Sequence, residues 1–269
     1  MPEPAGVVAQ AAARLRDAAA RRVPCAPVRD IAGTSDVRLA YQIQAANIGR
    51  ELAAGRRRVG RKIGLTSPAV QQQLGVNQPD FGTLLDSMAL RPGGDADMGG
   101  LLQPKVEGEI AFWLGADLDG ELGGVEDIRP AVAAAAAAIE IVDSRILGWD
   151  ITIVDTVADN ASSGLFVTSA GTVPLTAFEP REVIMNLTVN GQVVSAGTGS
   201  ACLGDPLTAV LWLARAAAAV GEPLRAGEVV LSGALGPMVP VAAGDQVSVE
   251  ISALGTVAVR FTGEDGADG

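Results

Sequence analysis

Histidine does not occur among the 269 residues. That absence excludes a Ser-His-Asp triad, a Cys-His pair and any imidazole metal ligand from this chain. Acid–base chemistry is left to Asp, Glu, Lys, Tyr or water, and Tyr41 is the single tyrosine. Cysteine is nearly as scarce. Cys25 and Cys202 are far apart and indicate neither a disulfide framework nor a thiolate zinc site. Basic charge is in deficit, 20 Lys and Arg against 31 Asp and Glu, for a net charge of -11. A phosphate backbone calls for a basic surface, so nucleic acid is not the expected partner. No apolar run reaches membrane-spanning length. The alanine-rich stretch Ala131–Ile139 is too short, and Asp127 and Arg129 precede it. No GxGxxG opens a helix after a strand and no Walker-type loop occurs, so no nucleotide cofactor is expected. The N-terminus lacks a basic-then-apolar leader pattern, which makes the cytoplasm the expected compartment.

What is present is a chain 48% hydrophobic and 19% charged, able to bury a core without disulfide staples. Residues 1–57 read as a helical region. One helix spans AGVVAQAAARLRDAAARR and a second runs from Asp36 to Ala54, with a proline-bearing loop between them. Residues 58–263 turn β-rich. Val59–Leu65 is a short strand, and Ser67 and Pro68 open a helix ending near Gly75. Pro104–Trp113 is a strand. Asp127–Ile139 is expected as an alanine-filled helix started by Pro130, running into a strand near Ile139. Asn190-Gly191 between two alternating runs signals a hairpin. The clearest helix is capped by Asp205, opened by Pro206 and closed by Gly221. Residues 264–269 read as a disordered tail. Strands come in clusters and not in a βαβ rhythm, which favours an α+β fold with a mixed or antiparallel sheet, closed or rolled.

The chemistry concentrates in PKVEGEIAF. Side chains alternate along a strand, so Glu107 and Glu109 point the same way while Val106, Ile110 and Phe112 point the other. Paired carboxylates in apolar surroundings coexist when one is protonated or a cation lies between them. With Glu140, in IEIVDSRI, they offer an all-oxygen set suited to Mg²⁺ or Mn²⁺ and to a chelating 2-oxo acid. The same pattern also fits an alternating strand with one solvated face. Lys62 in GRKIGL is either an anion-binding or proton-shuttling ammonium, or a surface lysine at a strand end. Asp80 in QPDFG is a turn former or a general base. Ser162 and Ser163 are small loop residues or donors to a substrate carboxylate. The glycines of SGALGPM either turn the chain or admit close approach of a ligand.

Taken together, GRKIGLTSPAVQQQLGVNQPDFGTLLDSM, PKVEGEIAF, IEIVDSRI, DTVADNASSG, LGDPLTAVLWLAR and LSGALGPMVPV resemble the 2-keto-4-pentenoate (2-hydroxypenta-2,4-dienoate) hydratases of aromatic-degradation pathways, within the fumarylacetoacetate hydrolase superfamily. The likeness runs from about Arg38 to Phe261. It implies a mixed β-roll with a small helical N-terminal part, assembled as a homo-oligomer, a pentamer or a multiple of one. It implies Mg²⁺ or Mn²⁺ on Glu107, Glu109 and Glu140, catalytic roles for Lys62, Asp80 and Ser162, and substrate contacts at Leu74, Ser162, Gly233 and Leu235. The implied substrate is a small 2-hydroxydienoic or 2-oxo acid. The implied reaction is hydration to a 4-hydroxy-2-oxo acid. A sister activity on the same scaffold, 4-oxalocrotonate decarboxylation, is the alternative. Hydrolysis through a Glu–His dyad is closed to a chain without histidine.

Overall fold

The computed structural model describes residues 4–67, 71 and 78–263. The helix expected from Ser67 to Gly75, including Leu74, falls largely outside the described residues, and so does the tail 264–269. Helix α1 (Pro4–Arg21) buries Val7, Ala11 and Leu15, one side of its 3.6-residue repeat. A four-residue turn of helix, α2 (Arg29–Ala32), interrupts the expected loop. In α3 (Val37–Ala53) the Asp36 carboxylate accepts from the Leu39 N–H, as an N-cap does, and Ala40, Ile43 and Gln44 turn inward. These helices share a core with Ile153, Val154 and Val157 of the short helix α5 (Ile153–Ala158).

Thirteen strands form two sheets among the described residues. The larger contains β1 (Arg58–Gly64), β2 (Asp80–Leu85), β3 (Ala89–Leu90), β5 (Pro104–Leu114), β6 (Val132–Asp143), β7 (Ser163–Thr168) and β10 (Val229–Leu231). Its order is β2-β1-β10-β5-β6-β7-β3, with β11 (Val239–Pro240) also pairing β5. The smaller is β4-β13-β12-β8-β9, built from Asp95–Asp97, Gly255–Thr262, Gln246–Ile251, Ile184–Val189 and Gln192–Thr198. The Asn190-Gly191 hairpin is present, with φ of 52° and 80° at the two turn residues. Helix α6 (Pro206–Ala219) begins at Asp205, whose side chain accepts from the Leu207 N–H. The architecture is the expected α+β fold with mixed sheets.

The alanine stretch departs from expectation. A short helix α4 (Val125–Ile128) and a turn at Arg129–Ala131 precede it, and the alanines themselves belong to strand β6. Helix propensity favours alanine by only about 1 kcal/mol per residue at most. Here β6 is hydrogen-bonded along both edges, to β5 and β7, and Ala135 to Ala138 are wholly buried. Tertiary pairing outweighs the local preference. Glu140 therefore sits within a strand and not at a helix-to-strand junction.

Residues paired across strands share a face of the sheet. On one face of the large sheet, Ile63, Phe81, Val106, Ile110, Phe112, Ile139, Ile141 and Val230 join the main core with the small sheet and α6. On the other face a smaller apolar cluster, Leu84, Ala111, Ala138, Phe166, Val229 and Leu231, borders the charged residues described next.

Candidate active site

The strand register assembles the site. Glu107 on β5 is directly opposite Glu140 on β6, and Glu109 lies one pleat further along β5. On β1, Lys62 pairs with Leu231 of β10, itself paired with Ala111 of β5, so Lys62 projects from the same face as the glutamates. Asp80, the first residue of β2, pairs with Gly64 and joins that face too. A carboxylate oxygen from each of Glu107, Glu109 and Glu140 lies within 4.8 Å of the others. Glu109 and Glu140 are buried and Glu107 is half-buried.

Like charges directly opposed in a sheet are destabilising, and burial compounds the cost. Lys62 Nζ offsets part of it, 3.1 Å from Glu140 Oε1, and donates to the Ala161 carbonyl at 3.1 Å. Burial alone would lower the Lys62 ammonium, but Glu140, Asp80, Glu107 and Glu109 together hold it above its ordinary value. The opposite holds for the acids. Burial, reinforced by Glu140, pushes Glu107 up to about 7. Burial, with Glu140 and Glu107 beside it, raises Glu109 well above a normal glutamate. Burial also raises Asp80, against the pull of Lys62.

Three features show that the cluster suits a hard cation. Glu109 Oε1 and Glu140 Oε2 are buried without a hydrogen-bond partner among the described residues, and Glu140 Oε1 meets only the Lys62 ammonium. The remaining Glu109 oxygen is fixed by the Gly233 N–H at 2.8 Å. One lysine faces four carboxylates, so a doubly charged ion offsets the surplus.

Asp80 Oδ2 accepts from Thr156 Oγ1 at 3.1 Å, while Oδ1 is buried and unpartnered. A side chain at Gly64 would meet that Oδ1 at 2.2 Å and Lys62 Nζ at 3.6 Å, so the two groups converge over a residue without a Cβ. Ser162 Oγ is also buried and unpartnered. It lies in a turn where Asn160, Ala161 and Ser162 all adopt positive φ, 55°, 51° and 53°. The turn is held from two sides. The Asn160 amide accepts from Thr83 N–H and donates to Thr83 O. Arg145 bonds the Asp159 carboxylate, the Asp159 carbonyl and the Ser163 carbonyl.

Of the expected site residues, Glu107, Glu109, Glu140, Lys62 and Asp80 converge, and Ser162 is carried beside them by the turn whose Ala161 carbonyl meets Lys62. Gly233 reaches Glu109 through its N–H. Leu235 is different: its side chain packs in the main core and its N–H donates to Gly108 O. Sequence reasoning missed Thr156, Arg145 and Asp159. DTVADN and VDSRI carry them, but nothing in their spacing shows that they meet. It also missed the N-terminal helix contacts. Gln44 donates to Phe81 O and Val157 O, and Tyr41 stacks on Phe81 with centroids 4.5 Å apart, fixing the strand that begins at Asp80.

Residues 66–262 match the fumarylacetoacetate (FAA) hydrolase C-terminal family. The chain is 54% identical over 256 residues to the TodF product hydratase of Pseudomonas putida strain F1, covering 95% of this chain and 96% of that protein. It is 52% identical over 255 residues to the 2-keto-4-pentenoate hydratase of Burkholderia vietnamiensis, covering 95% and 97%. Among solved structures, the 4-oxalocrotonate decarboxylase of Pseudomonas putida G7, complexed with magnesium and adipate, matches with a TM-score of 0.92 at 33% identity, over 97% of this chain and 99% of that one. This chain belongs to the 2-keto-4-pentenoate hydratase family of the fumarylacetoacetate hydrolase superfamily.

Proposed function

We propose that the chain is a metal-dependent hydro-lyase that adds water to a 2-hydroxypenta-2,4-dienoate (2-oxopent-4-enoate) type substrate, giving a 4-hydroxy-2-oxo acid. The observation that carries the reading is the row of Glu107, Glu140 and Glu109 with Lys62 and Asp80 on one sheet face. It occurs in a chain about half identical to named hydratases. The glutamates would hold the cation, Mg²⁺ or Mn²⁺. When bound, it supplies a Lewis acid that draws electron density from a chelating 2-oxo acid.

The protein's own groups handle the protons. Isomerisation removes the proton of the C2 hydroxyl and places one on C5. Hydration then delivers hydroxide to C4 and a proton to C3. Lys62, kept as an ammonium by its carboxylate neighbours, donates to carbon from Nζ. Asp80 accepts from the C2 hydroxyl and later from the attacking water through its free Oδ1. The two converge over Gly64, so a proton passing from Asp80 to Lys62 resets both groups after each step. Ser162 Oγ donates to the substrate carboxylate. Leu74 and Gly233 complete the substrate contacts in this reading, Gly233 as the residue without a side chain beside Glu109; Leu235, expected there too, instead packs its side chain in the main core with its N–H bonded to Gly108 O. From the family resemblance we also infer a cytoplasmic homo-oligomer, a pentamer or a multiple of one.

The match to the decarboxylase structure favours one second reading, loss of CO₂ from 4-oxalocrotonate at the same site. Incubation of the purified protein and Mg²⁺ with 2-hydroxypenta-2,4-dienoate and, separately, with 4-oxalocrotonate decides between them. Loss of dienol absorbance without CO₂ release is the expected result. CO₂ release from the second substrate with the first left untouched would overturn the hydratase reading.

A further inference from the structure

The chain has 18 arginines and only two lysines, Lys62 and Lys105. Both lysines lie on the same face of the large sheet. Lys105, Glu107 and Glu109 are alternate residues of β5, and their partners on β6 are Val142, Glu140 and Ala138. Burial grades along this row. Glu109 is fully buried, and Glu107 and Lys105 are half-buried. The row therefore opens to solvent at the Glu107 end, and Lys105 is the next position outward, about 7 Å along the strand.

The Lys105 ammonium has no carboxylate partner among the described residues. It lies instead 4.3 Å from the centre of the Trp149 ring. An indole face holds an ammonium without neutralising it, so the charge stays available to an arriving anion. The indole is itself fixed. Trp149 Nε1 donates to Gln103 O at 3.1 Å. Gln103 Nε2 donates to the Ser144 and Ile146 carbonyls, and its Oε1 accepts from the Gly148 N–H. Gly148 and Trp149 are held at φ of 64° and 57°, a left-handed pair that Gln103 braces. The arginines without a carboxylate or carbonyl partner are on exposed surface, for example Arg21, Arg50 and Arg91, and none resembles this arrangement.

We propose that Lys105, seated on Trp149, is a substrate-binding residue that receives the carboxylate of the 2-oxo or 2-hydroxydienoic acid at the mouth of the glutamate row. An acidic protein with an acidic site repels an anionic substrate, and a cation at the entrance reverses the local field. Lys105 acts on binding and leaves the proton transfers to Lys62 and Asp80. The inference rests on the function proposed above for the identity of the anion.

The test compares wild type with Lys105→Met, Lys105→Arg and Trp149→Leu, all loaded with Mg²⁺. Two readouts are used: steady-state hydration of 2-hydroxypenta-2,4-dienoate, and calorimetric binding of 2-oxopentanoate, a saturated analogue that cannot take up water. In Lys105→Met, KM and the analogue Kd rise about tenfold, kcat stays within about twofold, and the salt dependence of kcat/KM flattens. Lys105→Arg keeps the salt dependence, and Trp149→Leu follows Lys105→Met in part. Unchanged KM and Kd in Lys105→Met would overturn the proposal, and so would a loss confined to kcat. If wild type fails to hydrate the dienoate while Lys105→Met still weakens analogue binding, the hydratase reading falls and the anion-binding role of Lys105 stands.

Discussion

Arg145→Met removes the clamp on the turn that carries Ser162 and the Ala161 carbonyl. In the wild-type protein Arg145 Nε donates to Asp159 Oδ1 at 2.5 Å and Nη1 donates to Ser163 O at 2.7 Å. Nη2 also reaches the Asp159 carbonyl. The Arg145 side chain is 14% exposed and that of Asp159 1%. Removing one partner of such a pair leaves a buried charge uncompensated and costs about 3–5 kcal/mol. The turn it braces contains three consecutive left-handed residues other than glycine, each disfavoured by about 1–2 kcal/mol. Arg145→Met should therefore destabilise the protein by about 3 kcal/mol or more. For a chain of this size that is roughly 6–12 °C in Tm. It should also lower kcat, because the Ala161 carbonyl no longer orients Lys62 Nζ. Adding Asp159→Asn removes the stranded charge, so the double variant should be less destabilised than the sum of the singles, by about 1–3 kcal/mol. Scanning calorimetry and steady-state kinetics on the four proteins measure both effects. A single Arg145→Met variant within 1 kcal/mol of wild type and with full kcat would refute the assignment of Arg145 as the support of this turn.

Glu107→Gln should abolish turnover and the thermal stabilisation that Mg²⁺ confers, about 2.7 kcal/mol at a hundredfold excess over Kd, while the metal-free fold persists; an equal Mg²⁺ shift in both proteins rejects Glu107 as a ligand. Lys62→Met should lower kcat far more than it weakens metal binding, and a wild-type kcat would remove Lys62 from the mechanism. Gly64→Ala should cost activity without unfolding the sheet, because its Cβ would lie 2.2 Å from Asp80 Oδ1; unchanged kcat would show that Asp80 is not confined there. In the metal-free protein burial and the neighbouring Glu140 push Glu107 up to about 7 from the ordinary 4.5, so across that window the folded state binds more protons than the unfolded chain. Metal-free stability should accordingly fall as pH rises through that window, and Mg²⁺ uptake near pH 6 should release protons. Calorimetry in buffers of different ionisation heat reads that release, and its absence would refute the shift.

Much of the site was legible because strand parity is a local rule. PKVEGEIAF fixed the shared direction of Glu107 and Glu109 before any partner strand was known. The hairpin at Asn190-Gly191 and the caps at Asp36 and Asp205 are likewise written within a few residues. Glu140 was legible as an acid among apolar residues, but its place opposite Glu107 depends on register between strands some 30 residues apart, which no local pattern encodes. Lys62 and Asp80 read ambiguously for the same reason. Each looks like an ordinary strand-end or turn residue until the sheet closes around it. The left-handed turn at Asn160–Ser162 left no signal, since it contains no glycine and is held by Thr83 and Arg145 from elsewhere in the chain, Arg145 acting through the adjoining Asp159.

Part of the alanine stretch in β6 is explained by the charged site. Three charges on the active face have a residue of little bulk on one side: Lys62 has Gly82, Asp80 has Gly64 and Glu109 has Ala138, while Leu231 and Phe166 flank Lys62 and Glu140 on the other. The neighbouring pair Ala111 and Ala136 is equally small. Only Glu107 and Glu140 oppose each other directly. A valine or isoleucine in those places would suit a strand better by propensity and would fill the space beside the carboxylates. Small partners leave that space open, as the proposed ion and chelating acid would require, while the backbone ladder keeps the charged side chains from separating. Ala136 and Ala138 of β6 thus leave volume free beside the carboxylates, whereas Ala135 and Ala137 pack in the main core, and a rule that reads alanine as helix has access to neither requirement.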